Sequence, residues 1–166
     1  MWIRANLVLG AGGQSTFEGT SKALSSRFDR AKFHAIRADA QAILIGGNTA
    51  RIEPYGKTPV RLIVLSKSGD IPNSVTANSS AEIWTLAPAE AIAKLRGEGV
   101  ERILVEAGPS IVAELSSQNL LDGLYLTQTN FDKGENAVDI EAITANMVME
   151  SVEDSEDESF IYYGRN

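Results

Sequence analysis

The sequence contains no cysteine and only one histidine. Without cysteine, disulfides and thiolate metal sites are excluded, and a lone histidine argues against a histidine-based zinc site. No apolar run approaches the roughly 20 residues needed to span a bilayer. The first residues also lack the basic stretch and long apolar core of a secretory signal. We therefore expect no metal, no membrane partner and a cytoplasmic location.

Basic residues are also in the minority. Fifteen Lys and Arg stand against 22 Asp and Glu, which gives a net charge of −7. Nucleic acid binding needs a basic stripe, and we find none, so we expect no nucleic acid partner. An anionic small molecule needs only a few local donors and remains possible. The 166 residues, with 43% hydrophobic content, predict one globular domain over residues 1–166.

Strand-like and helix-like segments alternate through the first three quarters of the chain. The predicted helices begin near Ser26, Asn48, Ala89 and Pro109, and the predicted strands cover residues 3–9, 42–45, 60–65, 82–86, 103–105 and 122–128. Residues 147–152 and 159–163 frame an acidic run, 153–158, as a hairpin with a solvated tip. This order predicts an α/β fold with a mixed, mostly parallel central sheet flanked by helices and a C-terminal antiparallel hairpin.

The first predicted helix has a clear start. Ser26 and Asp29 have the spacing of a capping box. The helix then carries apolar residues at helical spacing, namely Phe28, Ala31, Ala35 and Ala38. This pattern is typical of an amphipathic helix.

The most informative junction joins the buried strand 103–105 to a helix that begins at Pro109. Glu106 stands at the strand tip, where an acid serves a ligand better than a core. We interpret Gly108 as a residue whose backbone conformation a Cβ would forbid, and Pro109 has its φ preset for a first helical turn. Free N–H groups and the positive end of the helix dipole make such a junction suitable for a phosphate.

Glycine-bearing junctions follow four predicted strands: Gly10 to Gly13, Gly46-Gly47, Ser66 to Gly69 and Gly108-Pro109. In open α/β sheets, ligands bind beyond the carboxyl ends of the strands. Each junction alone is typical of an ordinary turn, and none forms the dinucleotide fingerprint. Together they favour a nucleotide site.

Polar residues at the same junctions admit two interpretations each. Thr49 is either a helix cap or a ligand contact. Ser66 and Lys67 either hold a terminal phosphate or belong to a solvated turn. Glu53 is either a surface charge or an acid of the site.

Several ordered motifs resemble the riboflavin-biosynthesis pyrimidine reductase family (the RibD C-terminal reductase domain). The resemblance covers residues from about 5 to 126. The matching segments are Asn6-Leu7-Val8, Gly19-Thr20-Ser21, Leu24-Ser25-Ser26, Asp29-Arg30, Ile36-Arg37-Ala38, Ala42 to Gly46, Thr49 to Glu53 with Tyr55-Gly56, Val105 to Pro109, and Leu121-Asp122. The resemblance implies a dihydrofolate-reductase-like fold, NADPH as cofactor and a homodimer.

The resemblance also implies roles for individual residues. Ser21, Arg37 and Glu106 would contact a phosphorylated ribosylaminopyrimidine substrate, whose ribosylamino group the family reduces to a ribitylamino group. Glu106 or Glu53 would assist proton delivery. The residues implied to contact NADPH are Thr49, Glu53, Ser66, Lys67, Gly108, Pro109, Ser110 and Ile111, with Ser66 and Lys67 near its 2′-phosphate.

One departure from the family pattern bears on the substrate. Where the family usually has Ser-Leu-Asp-Gly after the first strand, this chain has Gly10-Ala11-Gly12-Gly13, so Gly12 stands in place of the acid. Two alternatives to the pyrimidine reductase hypothesis therefore stay open. One is an NADPH-dependent reductase of another heterocycle, such as a pterin, and the other is a non-catalytic ligand-binding relative.

Overall fold

The computed structural model describes residues 1–166. The strands are β1 (Trp2–Leu9), β2 (Gln14–Thr16), β3 (Ala42–Gly46), β4 (Arg61–Leu65), β5 (Ala81–Trp84), β6 (Arg102–Val105), β7 (Gly123–Thr129), β8 (Glu135–Ala137), β9 (Met147–Asp154) and β10 (Glu158–Arg165). The helices are α1 (Arg27–Asp39), α2 (Gly47–Ile52), α3 (Asn73–Thr76), α4 (Pro88–Gly97), α5 (Pro109–Ser117) and α6 (Ile140–Thr144). No helix combines the length and the apolar character needed to cross a bilayer.

Eight strands form the central sheet in the order β5-β4-β3-β6-β1-β7-β10-β9. The pairs from β5 through to β7 are all parallel, and β10 pairs antiparallel with both β7 and β9. The predicted mostly parallel sheet with a C-terminal antiparallel hairpin is therefore confirmed. Because the parallel strands point the same way, their carboxyl ends share one edge of the sheet.

Apolar residues bury both faces of the middle strands. In β3, Ile43 and Ile45 pack on one face and Leu44 packs on the other, and all three are fully buried. In β1 the alternation is one-sided: its odd-numbered residues from Ile3 to Leu9 are buried, and its even-numbered residues are only partly covered. The even-numbered side of β1 is therefore free to carry polar residues.

Helix α1 starts as predicted but faces the other way. The Ser26 side chain accepts a hydrogen bond from the Asp29 N–H at 2.9 Å, whereas the Asp29 carboxylate accepts from Ser25 and Thr127 instead of returning to the cap. The predicted apolar stripe is exposed, and Phe28 retains 73% of its surface. The helix packs on the sheet through Ile36, because a stripe made mostly of alanine offers little apolar area to bury.

Short elements were not predicted. Strand β2 follows the first glycine turn and pairs with β8, and α3 and α6 are also additional. The acidic hairpin tip needs one correction. Glu158 opens β10, is 5% exposed and accepts a hydrogen bond from Ser26 Oγ at 2.5 Å, so this acid is not solvated.

Candidate functional site

A cavity of about 440 Å³ opens at the carboxyl edge of the parallel strands. Its walls come from the end of β1, the segment from β2 into α1, the α2 region and the turn between β6 and α5. Seven residues predicted for the site line it together: Ser21, Arg37, Thr49, Glu53, Glu106, Gly108 and Pro109. Residues separated by up to 88 positions in the chain thus meet in one space.

Glu106 and Arg37 form a two-point ion pair beneath this cavity. Arg37 Nε donates to Glu106 Oε1 at 2.7 Å, and Arg37 Nη2 donates to Oε2 at 2.6 Å. Tyr55 donates its hydroxyl to the same Oε2 at 2.7 Å. Only 12% of the Arg37 side chain and 2% of the Glu106 side chain are exposed, so solvent screens this pair weakly.

The surroundings fix the protonation states of the two donors. Burial by itself lowers the pKa of Arg37, but the hydrogen bond and negative charge of Glu106 outweigh it and raise that pKa overall. Burial, followed by the charge of Glu106, raises the pKa of Tyr55 well above its ordinary value. Arg37 stays charged and Tyr55 stays protonated. Three protein donors thus engage Glu106, which holds Arg37 and Tyr55 in position.

Glu53 is the less engaged acid of the cavity. Its Oε1 accepts both the backbone N–H and the hydroxyl of Ser21, each at 2.8 Å, while its Oε2 has no protein donor. Glu53 is the C-cap residue directly after α2, and its backbone N–H donates to the carbonyl of Thr49. Thr49 and Glu53 are therefore presented to the cavity by one short helix.

Glycines allow a close approach of elements at the rim. A Cβ on Gly46 would lie 2.9 Å from Ile111 Cδ1, and one on Gly47 would lie 3.1 Å from Ser66 Oγ. The start of α2 therefore lies directly against α5 and against the turn after β4. The interpretation of Gly108 was wrong, because its φ of −58° is open to any residue and a Cβ there would meet no atom within 4 Å.

Four of the residues predicted to bind cofactor lie outside the cavity lining: Ser66, Lys67, Ser110 and Ile111. Ser66 is buried and accepts the Gly69 N–H at 3.2 Å, and Lys67 is exposed beside it. Ser66 and Ile111 contact the rim through Gly47 and Gly46, as described above. The cofactor roles of these four residues stay predictions.

Unpaired backbone donors border the cavity at the β6–α5 turn. The N–H groups of Ala107 and Gly108 donate to no protein acceptor. Helix α5 begins directly after them, at Pro109. Since β6 and β3 are neighbours in the sheet, the start of α2 lies beside this turn. Free donors at a helix start suit a group that carries several negative charges.

Sequence reasoning did not assign a role to several lining residues. Asn6 lies on the partly covered side of β1, its amide makes no hydrogen bond within the protein, and it reaches the cavity. The alternation of β1 was a usable signal for it. His34 is exposed and lines the cavity too. The Phe33 ring stacks against the Arg37 guanidinium, with 4.1 Å between the ring centre and Arg37 Cζ.

Solved structures with this architecture cover almost the whole chain. A pyrimidine reductase-like protein from Corynebacterium diphtheriae has a TM-score of 0.75 and 20% identity over 99% of this chain and 92% of its own. RibD from Acinetobacter baumannii has a TM-score of 0.77 and 11% identity, over 99% of this chain and 58% of its own. The class defined by fold and site is therefore a dihydrofolate-reductase-like α/β domain with a polar cavity at the carboxyl edge of its sheet.

Sequence comparison gives the family. Residues 2–131 match the RibD C-terminal domain. The riboflavin biosynthesis protein RibD of Corynebacterium ammoniagenes is 27% identical over 134 residues, in an alignment that covers 71% of this chain and 39% of that protein. The chain thus spans well under half the length of this relative. It belongs to the RibD C-terminal domain family.

Proposed function

We propose that this protein reduces a substrate of the 5-amino-6-(5-phosphoribosylamino)uracil type with NADPH, in riboflavin biosynthesis. The observation that carries the proposal is the gathering of Thr49, Glu53, Glu106 and Gly108 around one cavity, next to two helix starts. Family membership supports the same reaction class. A solved structure from Thermotoga maritima has a TM-score of 0.75 and 16% identity over 99% of this chain and 56% of its own. That protein is a diaminohydroxyphosphoribosylaminopyrimidine deaminase and 5-amino-6-(5-phosphoribosylamino)uracil reductase.

The residues present fit a dinucleotide. The free N–H groups of Ala107 and Gly108 suit its phosphates, and a Cβ-free Gly108 leaves that side of the turn open. Thr49 supplies a hydroxyl at the next helix. NADPH, when bound, supplies the hydride. We place its 2′-phosphate toward the turn after β4, near exposed Lys67 and the buried Ser66 beside it.

The proposed reaction consumes one substrate, one NADPH and one proton. A hydride adds to the sugar C1′ as the bond between C1′ and the ring oxygen breaks, and the released oxygen takes the proton. The sugar carbon is reduced and NADPH is oxidised to NADP⁺. The protein has to align C1′, exclude water and supply a proton path.

Side chains of the cavity divide these tasks. Glu53 keeps one free carboxylate oxygen and is the better placed acid for moving a proton, because Glu106 already accepts from three donors. Arg37 uses Nε and Nη2 on Glu106 and keeps Nη1 for the substrate. Glu106 then acts as a positioning residue for Arg37, and Ser21 does the same for Glu53.

One observation supports a second candidate. The turn at Gly10 to Gly13, which replaces the family's acid, is closed on itself by the Gly13 N–H to the Gly10 carbonyl and does not line the cavity. With Gly12 in place of the acid, this turn brings no carboxylate to the cavity. This favours, as the runner-up, a reductase of another heterocycle such as a pterin. A non-catalytic binding protein is the remaining outcome.

Cofactor titration followed by a turnover assay tests the proposal. We expect NADPH, and NADH more weakly, to quench tryptophan fluorescence, and we expect the ribosylaminopyrimidine phosphate to be consumed together with NADPH. Glu53→Gln should slow turnover and leave NADPH binding within a few fold. Turnover of a pterin but not of the pyrimidine would favour the runner-up. Absence of binding by either nucleotide would contradict both reductase proposals.

We also propose a homodimer. Strand β9 is an edge strand that exposes Val148, Met149 and Val152, and such an edge is normally covered. Sedimentation equilibrium should give the mass of two chains, and a single-chain mass at all concentrations would contradict this proposal.

A further inference from the structure

The basic side chains of the cavity fall into two groups. Arg37 is neutralised by Glu106. Lys22, Arg30 and His34 also line the cavity, but none of them forms an ion pair or a side-chain hydrogen bond with the protein. All three are exposed, so they stand at the mouth of the cavity and not in its floor.

The acids of the cavity leave these three residues without a protein counterion. Asp29 accepts from the hydroxyls of Ser25 and Thr127, and Glu53 accepts from Ser21. Glu106 is held by Arg37 and Tyr55, as described above. Each carboxylate therefore accepts from other donors, and Lys22 and Arg30 stand at the mouth of the cavity without an ion-pair partner in the protein.

Helix geometry keeps the three residues together. Arg30 and His34 are four positions apart on α1, so their side chains share one face of the helix. Lys22 precedes the helix and contributes to the same wall. By contrast, Lys32 lies on another face of α1, where it pairs with Glu153. Arg30 is therefore a cation of α1 that lines the cavity and has no partner in the protein.

We infer that Lys22, Arg30 and His34 form the subsite for the phosphate monoester of the substrate. The inference rests on the proposed function for the identity of the substrate, although phosphate binding itself does not depend on turnover. A phosphate held here would place the sugar deeper, toward Glu53 and Arg37. Specificity for a phosphorylated sugar would then come from the mouth, while Arg37 serves another part of the substrate.

The single histidine provides a direct readout of binding. Because the chain has only His34, its imidazole proton signals stand alone in an NMR spectrum. Inorganic phosphate and ribose 5-phosphate should both shift these signals in a saturable way, with sulfate as a comparison anion. We expect Arg30→Gln to weaken the apparent affinity about ten-fold, the loss of one charge-assisted hydrogen bond.

A matched control separates the subsite from general surface charge. Arg27→Gln removes the same charge from the first turn of α1, but Arg27 is exposed and lies outside the cavity lining. It should change phosphate affinity less than two-fold at constant ionic strength. Equal effects of Arg27→Gln and Arg30→Gln, or signals of His34 that do not move, would overturn the inference.

Kinetic measurements distinguish failure of the phosphate-subsite inference from failure of the proposed reaction. Arg30→Gln and Lys22→Gln should raise KM for the phosphorylated substrate about ten-fold with little change in kcat, and should leave KM for its dephosphorylated analogue unchanged. Normal turnover with unchanged KM in both variants would refute the subsite and leave the reductase proposal standing. Specific phosphate binding without any turnover would support the subsite and refute the reductase proposal.

Discussion

Glu106→Gln tests the buried ion pair at the floor of the cavity. The substitution keeps the shape of the side chain but leaves the Arg37 charge, whose side chain is only 12% exposed, without its counterion. Removing one partner of a buried pair costs about 3–5 kcal/mol, and we expect about 3 because the amide oxygen still accepts one hydrogen bond. That is a large part of the roughly 5–15 kcal/mol that stabilises a domain.

The magnitude is best measured by urea unfolding, where the midpoint should fall at an unchanged slope. Glu82→Gln is the matched control, because Glu82 pairs with Arg61 with 42% and 30% of their side chains exposed. Solvent screens that pair, so its loss should cost at most about 1 kcal/mol. If both variants lost the same small amount, the account of a tightly coupled Glu106–Arg37 pair would be refuted.

Three further predictions follow from the site. Tyr55→Phe should weaken the dependence of the unfolding free energy on pH in the alkaline range. Because the pKa of Tyr55 is raised in the folded state, its contribution to stability is complete below pH 10.0 and is lost as the pH rises through the folded-state pKa. Identical alkaline stability profiles of the variant and the wild type would contradict this. Gly108→Val should leave the unfolding midpoint nearly unchanged, since its Cβ meets no atom within 4 Å, and should weaken NADPH binding by crowding the turn; unaltered NADPH affinity in fluorescence titration would remove the turn from the cofactor site. Lys67→Ala should weaken NADPH more than NADH, and equal effects on both nucleotides would exclude a role at the 2′-phosphate.

Local signals carried much of the fold prediction. Short apolar runs such as 42–45 and 103–105, each ended by glycine or an acid, are typical of strands buried on both faces, and the structure has them as parallel neighbours. The prediction that the Phe28 stripe of α1 faces the sheet was wrong, because helical spacing of apolar residues does not by itself determine which face is buried. Ile36 packs against the core instead, and its side chain offers more apolar area than the alanines that follow Phe28.

The candidate site was predictable as a location but not as a network. Strand ends with polar residues and glycines indicate the carboxyl edge of a sheet, and Thr49, Glu53 and Gly108 meet there. The pairing of Arg37 with Glu106 joins residues 69 positions apart, and no local pattern specifies it. No sequence signal indicated that Arg37, Glu106 and Tyr55 contact one another, and the substrate contacts of Arg37 and Glu106 stay predictions.

The proposed reaction requires this cavity to hold a nicotinamide cofactor against the sugar C1′ of a phosphorylated ribosylaminopyrimidine. It is tested most directly with NADPH that carries deuterium at the transferring position of its nicotinamide ring. We expect a ribitylamino product with that deuterium on C1′, seen by mass spectrometry and NMR, in amounts equal to the NADP⁺ formed. Product without deuterium at C1′, or NADPH left intact beside unreacted substrate, would contradict it.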